Sequence, residues 1–228
     1  MRRLSPLLLL LAAPMAHAQF VYPKPGDNVQ KKPGTYVEDP FITEYRQKFF
    51  AALRGDFKTF NAGYAEIVAM VEKNPKDPRA LVWRGNGKTI KAIRANMMGQ
   101  KDEAAKLLAE SRQDVDAAVA LKPKDYNIYM MRATTLYAQA QWVPTQPVPR
   151  SNWEHIRDDC LALIKEMAKK MPDASVHVQG EAYGELGIAY VKLGEKAKAR
   201  EAFNKILQLT PGSAYAERAT KELAALGS

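Results

Sequence analysis

Four breaks of similar make-up divide most of the chain. They read EKNPKD, ALKPKD, KKMPDA and QLTPGS, and set Pro75, Pro123, Pro172 and Pro211 at intervals of 48, 49 and 39 residues. A proline inside a helix loses a backbone hydrogen bond and clashes with the preceding turn, so each break ends a helical run. Between breaks, apolar residues recur at three- and four-residue steps. Asp56, for example, stands as a cap before Phe57, Phe60, Tyr64, Ile67, Val68 and Val71, one stripe along a helix. Strand-like alternation is absent from the sequence. The chain therefore reads as all-α, with room in each interval for two helices and two turns. A repeated hairpin that cannot bury its apolar face alone stacks on its neighbours, which predicts an α-solenoid.

The last unit is the most regular. Tyr183, Leu186, Gly187 and Tyr190 are followed by Ala199, Phe203 and Pro211, in the stretch EAYGELGIAYVKLGEKAKAREAFNKILQLTPGS. Gly187 and Ala199 are small where two helices cross closely, and Tyr190 and Phe203 fill the groove beside them. Gly194 ends the first helix and Pro211 stops the second. This spacing resembles the tetratricopeptide repeat over about residues 180–213, with Tyr183 where the family pattern most often has tryptophan. The resemblance implies a scaffold that binds peptides or protein segments on a concave surface lined by the first helix of each hairpin.

Upstream units depart from the 34-residue pattern. In the second, Gly99 is the turn glycine, with Ala104 placed as Ala199 is after Gly194, and two extra turns fall on each helix. In the third, the surplus is the proline-rich loop WVPTQPVPRS, between a helix near Asn127–Gln141 and one near Asn152–Lys170. The expected hairpins span about 40–75, 78–123, 125–172 and 176–211, and an amphipathic helix at 213–226 seals the end of the array. That last helix carries Tyr215, Ala219, Leu223 and Leu226 on one side.

The N-terminus sets an expected compartment. Arg2 and Arg3 precede the apolar run Leu4–Ala13, and Ala16-His17-Ala18 supplies a small-x-small cleavage signal, the anatomy of a bacterial secretory signal peptide over residues 1–18. A buried helix would instead have to hold five consecutive leucines with Pro6 and Pro14 inside it. The mature chain then begins at Gln19 and is directed to the periplasm. Residues 19–39, rich in proline, glycine and lysine, read as an extended arm. Removing Arg2 and Arg3 lowers the formal charge from +9 to +7. For an exported chain, acidic protein, lipid headgroups or anionic polymers are the counterparts to weigh, and nucleic acid is not expected as a partner.

Catalytic and cofactor signals are weak. The single cysteine, Cys160, shares a helical stripe with Ile156, Leu163, Ile164 and Met167, as a core thiol does. His155 lies about 140° round a helix from it, so the two are not a catalytic pair. His155 and Asp159, four residues apart, read as a surface ion pair rather than half a metal site. The stretch WRGNGKTI spells the end of a phosphate loop, Gly87-Lys88-Thr89, but Val82 stands where the loop's first glycine belongs and no apolar strand precedes it. The helical alternative places Val82, Thr89, Ile93 and Met97 on one side and Arg84, Lys88 and Lys91 on a solvated side. Either Gly85, counted from Pro75, or Gly87, counted from Trp83, marks the helix crossing. No cofactor, metal or catalytic residue is expected.

Carrying the family's groove over by spacing gives Arg79, Val82, Asn86 and Thr89 in the second unit, Asn127, Met130, Thr134 and Tyr137 in the third, and Glu181, Glu185 and Ile188 in the fourth. One subset of the family grips a peptide carboxylate with lysine, asparagine and arginine. Here Val82 replaces the lysine, and Glu181 and Glu185 would repel such a group, so a basic or neutral segment fits better. A structural adaptor that docks through the arm, with Phe20, Tyr22 and Tyr36, or through the convex face is the rival expectation.

Overall fold

The structure is a computed structural model describing residues 39–143 and 148–227. The expected signal peptide (residues 1–18), residues 19–38 of the expected arm and residues 144–147 of the proline-rich loop lie outside the described residues. Within them the chain forms nine α-helices: α1 (Pro40–Leu53), α2 (Phe57–Lys73), α3 (Pro78–Met97), α4 (Lys101–Leu121), α5 (Tyr126–Trp142), α6 (Arg150–Glu166), α7 (Val176–Leu193), α8 (Lys196–Leu209) and α9 (Ala214–Ala225). A short 3₁₀ turn, Met171–Asp173, precedes α7. Each helix packs on the next, and α1, α3, α5, α7 and α9 also touch in series as an inner row. This is the α-solenoid of hairpins with a terminal capping helix that the periodicity predicts.

The proline breaks do two jobs, and the second is carried by a residue two or three places on. After Pro75 and Pro123, Asp77 and Asp125 cap the next helix, accepting from the backbone N–H of Arg79 at 2.9 Å and of Asn127 at 3.0 Å. Ser213 does the same after Pro211, accepting from Ala216 N–H at 3.1 Å, and Ser175 after Pro172, from Val178 N–H at 3.3 Å. Such caps satisfy N–H groups that a helix start leaves without a partner. In the second and fourth hairpins the turn is left-handed: Gly99 has φ 77° and Gly194 φ 84°. The next residue then reaches back, Gln100 N–H to Ala95 O at 2.9 Å and Glu195 N–H to Tyr190 O at 2.8 Å.

The two helices of the second hairpin are near-equal in length, and the fourth hairpin is shorter. α4 has 21 residues against 14 in α8, while α3 has 20 against 18 in α7. Relative to the last unit, the extra turns therefore fall almost wholly on the outer helix. The tip between α3 and α4 carries Met97 and Met98, 72 % and 61 % exposed.

Both glycines of the GNGKT stretch turn out to be crossing residues, each for a different neighbour. A Cβ on Gly85 would stand 2.6 Å from Val115 Cγ1 and 2.9 Å from the Ser111 carbonyl, so Gly85 is where α3 crosses its own partner α4. A Cβ on Gly87 would stand 2.3 Å from the Tyr64 ring, so Gly87 admits the preceding hairpin. Lys88 is not on a solvated side. Its ammonium bridges Asp114 at 2.9 Å and Glu110 at 3.3 Å on α4, beside Arg84, which also binds Asp114. Lys91 instead covers the Tyr64 ring, 3.8 Å from its centroid. α3 is wedged between α2 and α4, which leaves it little free surface.

Cys160 is 1 % exposed in the core, and burial pushes its thiol well above the usual range. The expected His155–Asp159 surface pair does not form. Asp159 is buried and gripped by Arg132 with two contacts of 2.7 Å, whereas His155 Nδ1 meets Arg112 at 2.7 Å. No helix among the described residues is long and apolar enough to cross a membrane.

Candidate binding cavity

The inner row is bent so far that its first and fourth hairpins meet. Phe50 of α1 sets its ring edge-on to His177 of α7, with centroids 6.0 Å apart. The inner helices consequently enclose a cavity of about 100 Å³, lined from every hairpin and from α9. Its walls include Phe50, Trp83, Tyr137, Trp142 and Phe203. Trp83 is fixed by Phe49, which packs edge-on at 4.9 Å. Phe203 of α8 reaches the cavity because Gly187 has no side chain to block it; a Cβ there would lie 2.4 Å from the ring.

Polar groups gather at the α7 side. Glu181 accepts from Thr134 Oγ1 of α5 and from the Tyr215 hydroxyl of α9, both at 3.0 Å. His177 Nδ1 lies 2.8 Å from the same Tyr215 oxygen and 3.8 Å from Glu181. Tyr215 can approach α7 because Gly180 lies beneath its ring, where a Cβ would stand 2.2 Å away. One turn on, Glu185 is 5 % exposed. Burial, reinforced by the neighbouring Glu181 carboxylate, holds its carboxyl well above the usual carboxylate range. Arg218 donates to the Tyr137 hydroxyl and covers its ring at 5.2 Å. Burial pushes the Tyr137 phenol up to about 12 despite that cation.

Six of the eleven residues expected in the groove meet at this cavity: Asn86, Met130, Thr134, Tyr137, Glu181 and Glu185. Arg79, Val82 and Asn127 lie around a separate hollow of about 30 Å³ beside Asp39, with Val82 only 2 % exposed. Two do not face open space. Thr89 is 1 % exposed and bonds the Ser111 hydroxyl at 2.9 Å and the Gln139 amide at 2.9 Å, tying α3 to α4 and α5. Ile188 is packed in the apolar core around α6 and α8. Both face a neighbouring helix because α3 packs on α2, α4 and α5, and α7 on α6 and α8. The contributions of α1 and α9 were not anticipated. Arg218, three residues after Tyr215 on a helix read as a plain cap, was the available signal.

Residues 180–213 match the tetratricopeptide repeat family model. This segment is a tetratricopeptide repeat. It contains Gly180, Glu181, Glu185 and Phe203, so the repeat supplies both glutamates of the cavity. A comparison of the chain with curated proteins gives no match. The repeat and the solenoid together make the chain a protein-interaction scaffold in kind, a class that is in general not catalytic.

The buried acid pair has a consequence for stability. A carboxyl with a raised pKa in the folded state binds its proton more tightly there than in the unfolded chain, where glutamate titrates near about 4.3. The stability this confers is fully present below that pH and is lost as pH rises through the folded-state value. Each such proton tilts stability by up to about 1.4 kcal/mol per pH unit. Glu185→Gln, which keeps shape and removes the charge, is expected to flatten the decline seen by urea denaturation as pH rises above the unfolded-chain value. An unchanged slope would show that Glu185 is not the group responsible.

Proposed function

We propose that the protein is a non-catalytic scaffold, exported to the periplasm, that seats a segment of a partner protein against the concave inner row. The observation that supports this reading most is the convergence of all four hairpins and α9 on one cavity, whose rim of half-buried residues includes Asn86, Thr134, Ala138 and Gln141. A cavity of about 100 Å³ admits one side chain. The rest of the segment lies across the rim, an arrangement in which one anchor supplies most of the binding energy.

A second reading, an adaptor that docks through its outer surface, is favoured by the exposed Met97 and Met98 at the α3–α4 tip. Large apolar side chains held in water at a projecting turn are a feature of contact surfaces. A photo-crosslinking residue placed at Gln141 or at Met98 separates the two. In the groove reading, exported protein whose N-terminal sequence starts at Gln19 yields a discrete adduct from position 141 and none from position 98. The reverse pattern establishes the adaptor.

A further inference from the structure

We propose that the cavity takes a lysine side chain of the partner segment, with its ammonium against Glu181 and Glu185 and its carbon stem between the aromatic walls. The proposal rests on the scaffold reading and specifies what that scaffold recognises.

Size comes first. A dry cavity of about 150 Å³ holds one benzene. The cavity here, about 100 Å³, therefore fits a slender unbranched chain better than a ring or a turn of helix. Its walls are apolar and aromatic along the length, with Phe50, Trp83, Tyr137 and Trp142 placed to cover methylene groups and to offer ring faces to a cation.

Hydrogen-bonding capacity comes next. A carboxylate has about four acceptor positions. Glu181 receives two neutral hydroxyl donors, from Thr134 and Tyr215, and Glu185 stands beside it, 5 % exposed. Two carboxyl groups at the wall of an apolar cavity leave acceptor positions in excess of those donors. An ammonium brings three donors and the compensating charge.

The other charged and titratable groups around the pair supply that compensation only in part: the Arg218 charge favours ionised Glu185, but burial and the Glu181 carboxylate outweigh it. On α9, Arg218 is engaged with the Tyr137 hydroxyl and lies 3.9 Å from Glu222. On α1, Arg46 also lines the cavity, but it is not among the groups that shift the Glu185 carboxyl. On α7 itself, His177 shares the Tyr215 hydroxyl, and on α6 the buried Cys160 thiol stays protonated behind the wall. Asp159, also on α6, is held by Arg132. The α8 residues that face the cavity, Phe203 and Ile206, carry no charge, nor do Trp83 and Asn86 on α3. Seating an ammonium beside the pair favours the ionised form of Glu185 against the burial that raises its carboxyl, so binding is linked to proton release there.

The test is titration calorimetry of the exported chain with end-blocked pentapeptides Ala-Ala-Xaa-Ala-Ala, in two buffers of different protonation enthalpy. Lysine at the centre is expected to bind at least tenfold more tightly than norleucine, and glutamate to show no measurable heat. Lysine binding should release protons and strengthen from pH 6 to pH 8. Glu181→Gln and Glu185→Gln should each weaken it at least tenfold without changing the norleucine peptide. Equal binding of lysine and norleucine, or a preference for glutamate, overturns the proposal. So does an absence of binding by every peptide; if crosslinks from position 141 still form, the scaffold reading survives that result. Lysine binding without any crosslink from position 141 upholds the recognition chemistry and removes the scaffold reading.

Discussion

Arg132→Met is expected to destabilise the fold by about 3–5 kcal/mol at neutral pH, the range found when one partner of a buried ion pair is removed. Arg132 makes two 2.7 Å contacts to Asp159 and a third, at 3.0 Å, to Asp116. Asp159 is 2 % exposed, so the variant leaves a carboxylate in the core with its main counterion gone. Burial already pushes the Asp159 carboxyl up, with Arg132 opposing that rise. Without the guanidinium the carboxyl takes a proton more readily, and the deficit relative to wild type should shrink as pH falls. The double variant Arg132→Met with Asp159→Leu should recover most of the loss, because the pair's desolvation cost disappears together with its attraction. Urea denaturation at pH 7 and pH 5 reads all three. A loss below about 1 kcal/mol for the single variant would mean that water reaches Asp159 and the pair acts as a surface one.

Phe203→Ala is expected to cost about 3–5 kcal/mol, as large-to-small changes at buried aromatic positions do. For a domain of this size that is a fall in Tm of roughly 6–20 °C. Phe203 is 1 % exposed, stands over Gly187, and walls the cavity. The two positions are coupled. Gly187→Ala alone drives a methyl to 2.4 Å from the ring and should cost about 1–3 kcal/mol through overpacking. With the ring deleted, the same methyl has space, and alanine is the better helix former by about 1 kcal/mol. The double variant is therefore expected to be more stable than Phe203→Ala. Strict additivity of the two losses would show that Gly187 is not reserved for the ring.

How much of this was legible in the sequence depended on whether the deciding interaction was local. The helix start at Asp56, and the left-handed turns at Gly99 and Gly194, follow from a few neighbouring residues and were readable. The thiol of Cys160 was readable too, because its stripe lies on one helix. Lys88 was not. Whether a lysine on an inner helix meets water or an aspartate depends on how the next helix is laid, and Asp114 is 26 residues away. Gly85 and Gly87 were recognisable as crossing residues, but α3 has neighbours on two sides, and a count along the chain allowed for only one. The groove residues split for the same reason. Spacing along α3 located Asn86, yet one turn later Thr89 has rotated into the contact with α4 and α5. The roles of α1 and α9 at the cavity arise from curvature, which is a sum of small rotations between hairpins and leaves no motif.

The contact between Phe50 and His177 alters the physics of the array as well as its shape. In an open stack each unit is held by its neighbours alone, so an end can unzip while the middle stays folded. Here residues 127 positions apart in the chain touch. Loosening the first hairpin strips a wall from the fourth, and loss of α9 uncovers Gly180, against which Tyr215 is seated. The two ends of the molecule thus share one melting transition, and hydrogen exchange in α1 and α7 should rise and fall together rather than in a gradient from either terminus.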